Sequence, residues 1–186
     1  MNRRSALLVL ACSLPLAACG PSRLYTGPLD AQPVGPYILA SGDRLRVIVF
    51  GQDNLSNIYT VDGEGRVAMP LIGPVRVGGG TTEAAARAIE TRLRKGFIRE
   101  PKVTVEIEVH RPFFILGEVL NPGQFPYVNG MSVQTAVAIA GGFSPRASQS
   151  YAEITRPIPE GLVTANVPIT YPMKPGDTIL IKERWF

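Results

Sequence analysis

The side chains capable of chemistry in this 186-residue chain are few and widely spaced. His110 is the only histidine, and Cys12 and Cys19 are the only cysteines. A zinc site of the HExxH or multi-histidine type is therefore excluded. A Ser–His–Asp triad would have to use His110, which closes the alternating run "KVTVEIEVH". No GxSxG turn exposes a serine for it to activate, and no SxxK pair replaces it. Glu106 and Glu108 share one face of that same run, and paired carboxylates can cleave glycosides; neighbouring outward acids on a strand are, however, ordinarily solvated. Asp62 and Glu64 in "DGEG" are too few to ligate calcium. Gly63-Glu64-Gly65-Arg66-Val67-Ala68 fits the loose GxGxxA dinucleotide pattern, but that pattern needs a helix to open behind the glycines. Pro70, Gly73 and Pro74 forbid one. The residues predict no catalytic centre, no metal and no cofactor: this is not an enzyme.

The cysteines have a different meaning. Asn2, Arg3 and Arg4 precede the apolar run "ALLVLACSLPLA", which small residues follow. That is the layout of an export signal, and the run is well short of the roughly 20 residues that span a bilayer. Leu16-Ala17-Ala18-Cys19 then has the form of a lipobox, with cleavage between Ala18 and Cys19 and acylation of the new N-terminal cysteine. Cys12 leaves with the signal (1–18), so no intramolecular disulfide is expected. Two or more acyl chains on Cys19 make a stable membrane anchor where one does not. The remaining 168 residues lose Arg3 and Arg4, and the formal charge of +4 falls to +2. Basic residues are interspersed with acids, as in "RKGFIREPK", and nothing indicates a nucleic-acid partner.

Elements that could position a site begin after a proline- and glycine-rich tether at 19–36. "SGDRLRVIVF" predicts a turn at Gly42-Asp43 and a half-buried strand, with Leu45, Val47 and Val49 facing in. Two β-prone runs flanking "DGEG" predict a hairpin. "TTEAAARAIETRLRKGF" predicts a helix capped by Thr81 or Thr82. Its apolar stripe is Ala86, Ile89, Leu93 and Phe97, and Glu83–Arg87 and Glu90–Arg94 pair on the wet side. In "KVTVEIEVH", Val103, Val105, Ile107 and Val109 point inward and His110 outward. These elements form a compact α+β unit at 37–110. A second unit, 111–186, has a strand at "RPFFILGEV" and a turn-rich crossover. A helix at "MSVQTAVAIAGG", capped by Ser132 and apolar nearly all round, precedes three more short strands, the β-grasp plan. Phe113 and Phe114 are adjacent and so point to opposite faces. One belongs to the core; the other, with Phe125 and Tyr127 nearby, lies against a neighbouring domain or an interface, or contacts sugar. "SGDRLRVIVF" and "PGDTILIKER" read as one turn-then-strand device used twice.

"DGEGRVAMPLIGPV", "RPFFILGEV" and "NPGQFPYVNGMS" together resemble the outer-membrane polysaccharide export lipoprotein family, from about residue 37 onward. The resemblance implies a polysaccharide-export α/β domain followed by a soluble-ligand-binding β-grasp domain. It further implies a homo-oligomeric ring, lipid-anchored in the outer membrane and facing the periplasm, as Gly20 after the lipobox also suggests. Such a ring passes exopolysaccharide or capsular polysaccharide and docks on an inner-membrane copolymerase. Longer members carry a C-terminal amphipathic helix that crosses the outer membrane; "IKERWF" here comes directly after a strand, so a separate outer-membrane β-barrel or pore is expected. A monomeric periplasmic module that binds sugar or a partner is the competing reading.

Overall fold

The computed structural model describes residues 36–158 and 161–184. Ala18 and Cys19, the cleavage and acylation positions, lie outside them.

The first strands confirm the alternation that the sequence carries. β1 (Arg44–Val49) buries Leu45, Val47 and Val49, and is flanked by β2 (Asn57–Thr60) and β5 (Val103–Val109) in an antiparallel sheet of order β2-β1-β5. The turn at Asp62–Gly65 is also where "DGEG" predicts it. Asp62 closes it by accepting the Glu64 and Arg66 amides at 2.9 and 2.8 Å. The flanking strands, however, do not form the expected hairpin. β3 (Arg66–Met69) pairs with β4 (Gly73–Arg76), and β2 with β1. The turn thus carries the chain from one sheet to another, because Val67, Met69 and Val75 bury in the shared core rather than beside β2. With β3 a strand, no helix opens behind Gly63 and Gly65, and the dinucleotide reading has no structural support.

α1 (Thr82–Arg94) is capped by Thr81, whose hydroxyl accepts the Ala84 amide at 3.3 Å. Ala85, Ile89 and Leu93 face the sheet, with Ala86 only partly covered. The stripe does not continue to Phe97. Gly96 takes φ +100°, a conformation that only glycine adopts cheaply. The chain turns there, the Ile98 amide bonds back to the Leu93 carbonyl at 2.9 Å, and Ile98 packs inward in place of Phe97. Neither expected ion pair on this helix is among those formed by the described residues. Glu90 instead accepts the Val103 amide at 3.0 Å, tying the helix to the start of β5.

A second core lies in a mixed sheet of order β7-β6-β10-β8-β9. β6 (Phe113–Gly117) and β10 (Thr178–Ile181) run parallel at its centre. β7 (Gly123–Phe125), β8 (Tyr151–Ile158) and β9 (Gly161–Pro168) are antiparallel to their neighbours. α2 (Val133–Ile139) packs on one face, its first turn closed by Ser132 accepting the Thr135 amide at 3.4 Å. It is one-sided rather than buried all round. Val133, Ala136, Val137 and Ala140 are covered, while Ala138 and Ile139 face out, because a single sheet supplies a single surface to bury against. The whole is α+β, as expected from the sequence.

Candidate functional site

The side chains of chemical interest converge where the two cores meet. Asp43 is fully buried. Its carboxylate accepts from the Tyr37 hydroxyl (2.8 Å), the Ala40 amide (2.9 Å) and the Arg111 amide (2.9 Å), and the Arg111 guanidinium stands 3.8 Å away. Arg111 Nη1 also donates to the Tyr37 hydroxyl at 3.2 Å. On the other side Arg111 passes over Gly176, where a β-carbon would collide with its Nε. The Gly176 amide bonds the Pro112 carbonyl at 3.2 Å. Arg111 is therefore clamped between the two Gly-Asp turns.

Those turns are built alike, as the sequence echo suggests. Gly42 and Gly176 have φ of +91° and +83°. In each, the next residue is an aspartate that bonds back across the turn: Asp43 to the Ala40 amide, and Asp177 to the Lys174 amide at 2.7 Å. The amides of Asp43 and Asp177 return bonds to Ala40 and Lys174, each at 3.2 Å. Both aspartates are fully buried and both meet an arginine. For Asp177 this is Arg156, forked onto both carboxylate oxygens at 2.8 Å.

His110 enters the same junction, contrary to the outward placement that strict alternation predicts. The β1–β5 register slips between Arg44 and Leu45: Leu45 faces Ile107, but Arg44 faces Val109, leaving Glu108 as an extra residue. Such a bulge inverts the facing of the residues beyond it. Val109, expected inside, is 39 % exposed. The His110 ring lies edge-on to Tyr37 (centroids 4.7 Å) and to Tyr127 (5.6 Å). Among the described residues its Nδ1 is buried without a hydrogen-bond partner. Burial lowers its pKa, the Arg111 charge adds to that, and Asp43 and a hydrogen bond to Asn129 oppose it. A histidine with a depressed folded pKa favours the fold while neutral, above the unfolded value near 6.5. That contribution is lost as pH falls through the folded pKa. The melting temperature should therefore drop by a few degrees between about pH 7 and 5 beyond what His110→Phe shows. A variant with the same pH profile as the parent would refute this.

The aromatic residues separate. Phe113 is fully buried and stacks on Phe125 (6.0 Å, 28°), which is partly covered. Tyr127 is partly covered and donates to the Met173 carbonyl at 3.1 Å. Phe114 is 43 % exposed on the sheet face opposite α2, beside Gln124 and Thr178. The four do not form one surface. The carboxylates are also dispersed: Glu108 is ion-paired with Arg46 at 2.6 Å and Glu64 with Arg66 at 3.0 Å. Among the described residues no group of three His, Cys, Asp or Glu side chains could hold a metal, and no helix is long and apolar enough to cross a membrane.

The two cores coincide with two matches to known families. Residues 31–108 match the polysaccharide biosynthesis/export protein family, and residues 112–165 match the SLBB domain. The chain thus carries a segment similar to the polysaccharide biosynthesis/export family, followed by an SLBB segment. Among its relatives, the exopolysaccharide production protein ExoF of Rhizobium meliloti is 34 % identical over 90 residues, 47 % of this chain and 21 % of the relative. The polysialic acid transport protein KpsD of Escherichia coli is 27 % identical over 120 residues, 63 % of this chain and 21 % of the relative. The matched part of this chain thus spans about a fifth of the length of either relative. Sequence reasoning missed Arg111 and Arg156 as the partners of the two buried aspartates. The repeated Gly-Asp was the available signal, but nothing local to it names which arginine arrives.

Proposed function

We propose that this protein is a subunit of a periplasm-facing, lipid-anchored ring at the outer membrane that passes exopolysaccharide or capsular polysaccharide without making or breaking a bond. The observation that carries the reading is the order of the two family modules on one chain, joined through Arg111. The names of the relatives, exopolysaccharide production and polysialic acid transport, point to the same cargo class. Acylated Cys19 holds the subunit to the membrane. An inner-membrane copolymerase supplies the polymer, and a separate outer-membrane β-barrel or pore completes the path. The edge strands β2, β7 and β9 each leave one side open, which neighbouring subunits can cover.

Deleting the gene is expected to lower surface polysaccharide by at least tenfold, with polymer accumulating in the periplasm. Undiminished surface polymer without accumulation would overturn the proposal. A detergent-solubilised protein that stays monomeric at high concentration would favour the competing binding module instead. Cys19→Ala should release the protein from the outer-membrane fraction.

A further inference from the structure

The far end of the first module, away from Arg111, carries a feature that the export reading does not use. β1 leaves the sheet there, α1 ends and β5 begins: the Phe50 amide donates to the Lys102 carbonyl at 3.0 Å, and Glu90 ties the end of α1 to Val103. Two large apolar side chains stand in solvent at this end, Phe50 at 79 % and Phe97 at 51 % exposure. Around them are Arg92, Arg94, Lys95, Arg99 and Lys102, all exposed. Among the described residues none of these five cations makes an ion pair. The acids at this end are Asp53, Glu90 and Glu100. Glu90 is engaged with a backbone amide, which is why Arg94 has lost its expected partner.

We infer that this end of the first module docks on an anionic phospholipid surface. Arg92 and Arg94 alone would be accounted for by the negative end of α1, but Arg99 and Lys102 lie beyond the helix. Clusters of four to eight cations are what an anionic leaflet attracts. The phenylalanines decide between polyanions. A soluble acidic polymer supplies counter-charge but no apolar volume, whereas a bilayer boundary supplies both. Phe97 is held outward by the left-handed turn at Gly96, with Ile98 taking its place in the core. The surface is therefore built into the fold and does not depend on export being the function.

The test is partitioning of the mature chain, residues 19–186 carrying Cys19→Ala and free of the signal, onto sedimented vesicles, either pure phosphatidylcholine or phosphatidylcholine with phosphatidylglycerol. Binding is expected only to the second kind, weakening as salt rises. Adding R94Q, K95Q and R99Q should lower partitioning by on the order of 100-fold, at roughly fivefold per cation. Phe97→Ser should lower it by about tenfold, including the part that survives high salt. All four positions are exposed, and unchanged melting temperatures would certify the fold. Equal binding to both vesicle types, or binding that the variants leave intact, would overturn the inference. So would retention on polygalacturonate without vesicle binding, which would assign the cations to a soluble polyanion.

Discussion

Arg156→Ala is expected to destabilise the second module by about 3–5 kcal/mol, and so to leave much of it unfolded at physiological temperature. The pair is buried on both sides, with the guanidinium forked onto Asp177 and its Nη2 also donating to the Pro172 carbonyl at 3.3 Å. The arginine lies 5.8 Å from the Tyr171 ring centre, so the charge is enclosed by an aromatic face as well. Truncation leaves the buried Asp177 carboxyl without its guanidinium, while the Lys174 amide still donates to it at 2.7 Å. An unpaired buried charge costs more than the intact pair contributes, which makes this loss larger than that of any surface ion pair in the chain. Arg156→Lys should recover only part of it, since an ammonium cannot grip both oxygens. The check is the urea midpoint of the β8–β10 region, and a change below about 1 kcal/mol would show that the pair is not holding the sheet together.

Asp43→Ala should cost less in total but act on the contact between the modules. It removes the acceptor of Tyr37, Ala40 and Arg111 at once, and strands the Arg111 guanidinium between two turns. Hydrogen bonds to a charged acceptor are worth roughly 1.5–3 kcal/mol each, and relaxation recovers part of that, so about 2–4 kcal/mol is expected. The diagnostic is location. Hydrogen-exchange protection of the Ala40 and Arg111 amides should fall by at least 100-fold, while amides of the β8–β9 ladder keep theirs. Uniform loss across both modules would mean that Asp43 supports global stability rather than the junction. If the ring reading holds, Asp43→Ala should also reduce polymer export while the protein is still present, because the orientation of the modules would no longer be held.

Much of this was legible because it is local. Alternation in Leu45–Val49 named the buried face of β1, Thr81 and Ser132 named two helix starts, and the repeated Gly-Asp named two identical turns. Errors arose where a residue's facing depends on a partner strand or on one backbone torsion. Phe97 sits at the right spacing for the stripe of α1, but the helix has already ended and Gly96 turns the chain before it is reached. His110 continues a flawless alternation in sequence, yet one extra residue opposite Arg44 reverses it.

The sequence by itself determined the α+β class, the order of strands and helices, and the two Gly-Asp turns. These come from side-chain type and short-range periodicity, which every residue carries with it. Only the tertiary structure decided that β3 pairs with β4, that Phe113 is core while Phe114 is exposed, and that Arg111 and Arg156 reach the buried aspartates. It also decided that His110 faces the junction and Phe97 faces water. Those outcomes depend on which distant segments compete for the same buried surface. Asp43 and Arg111 are 68 residues apart in the chain and 2.9 Å apart in the fold, and no local pattern encodes that distance.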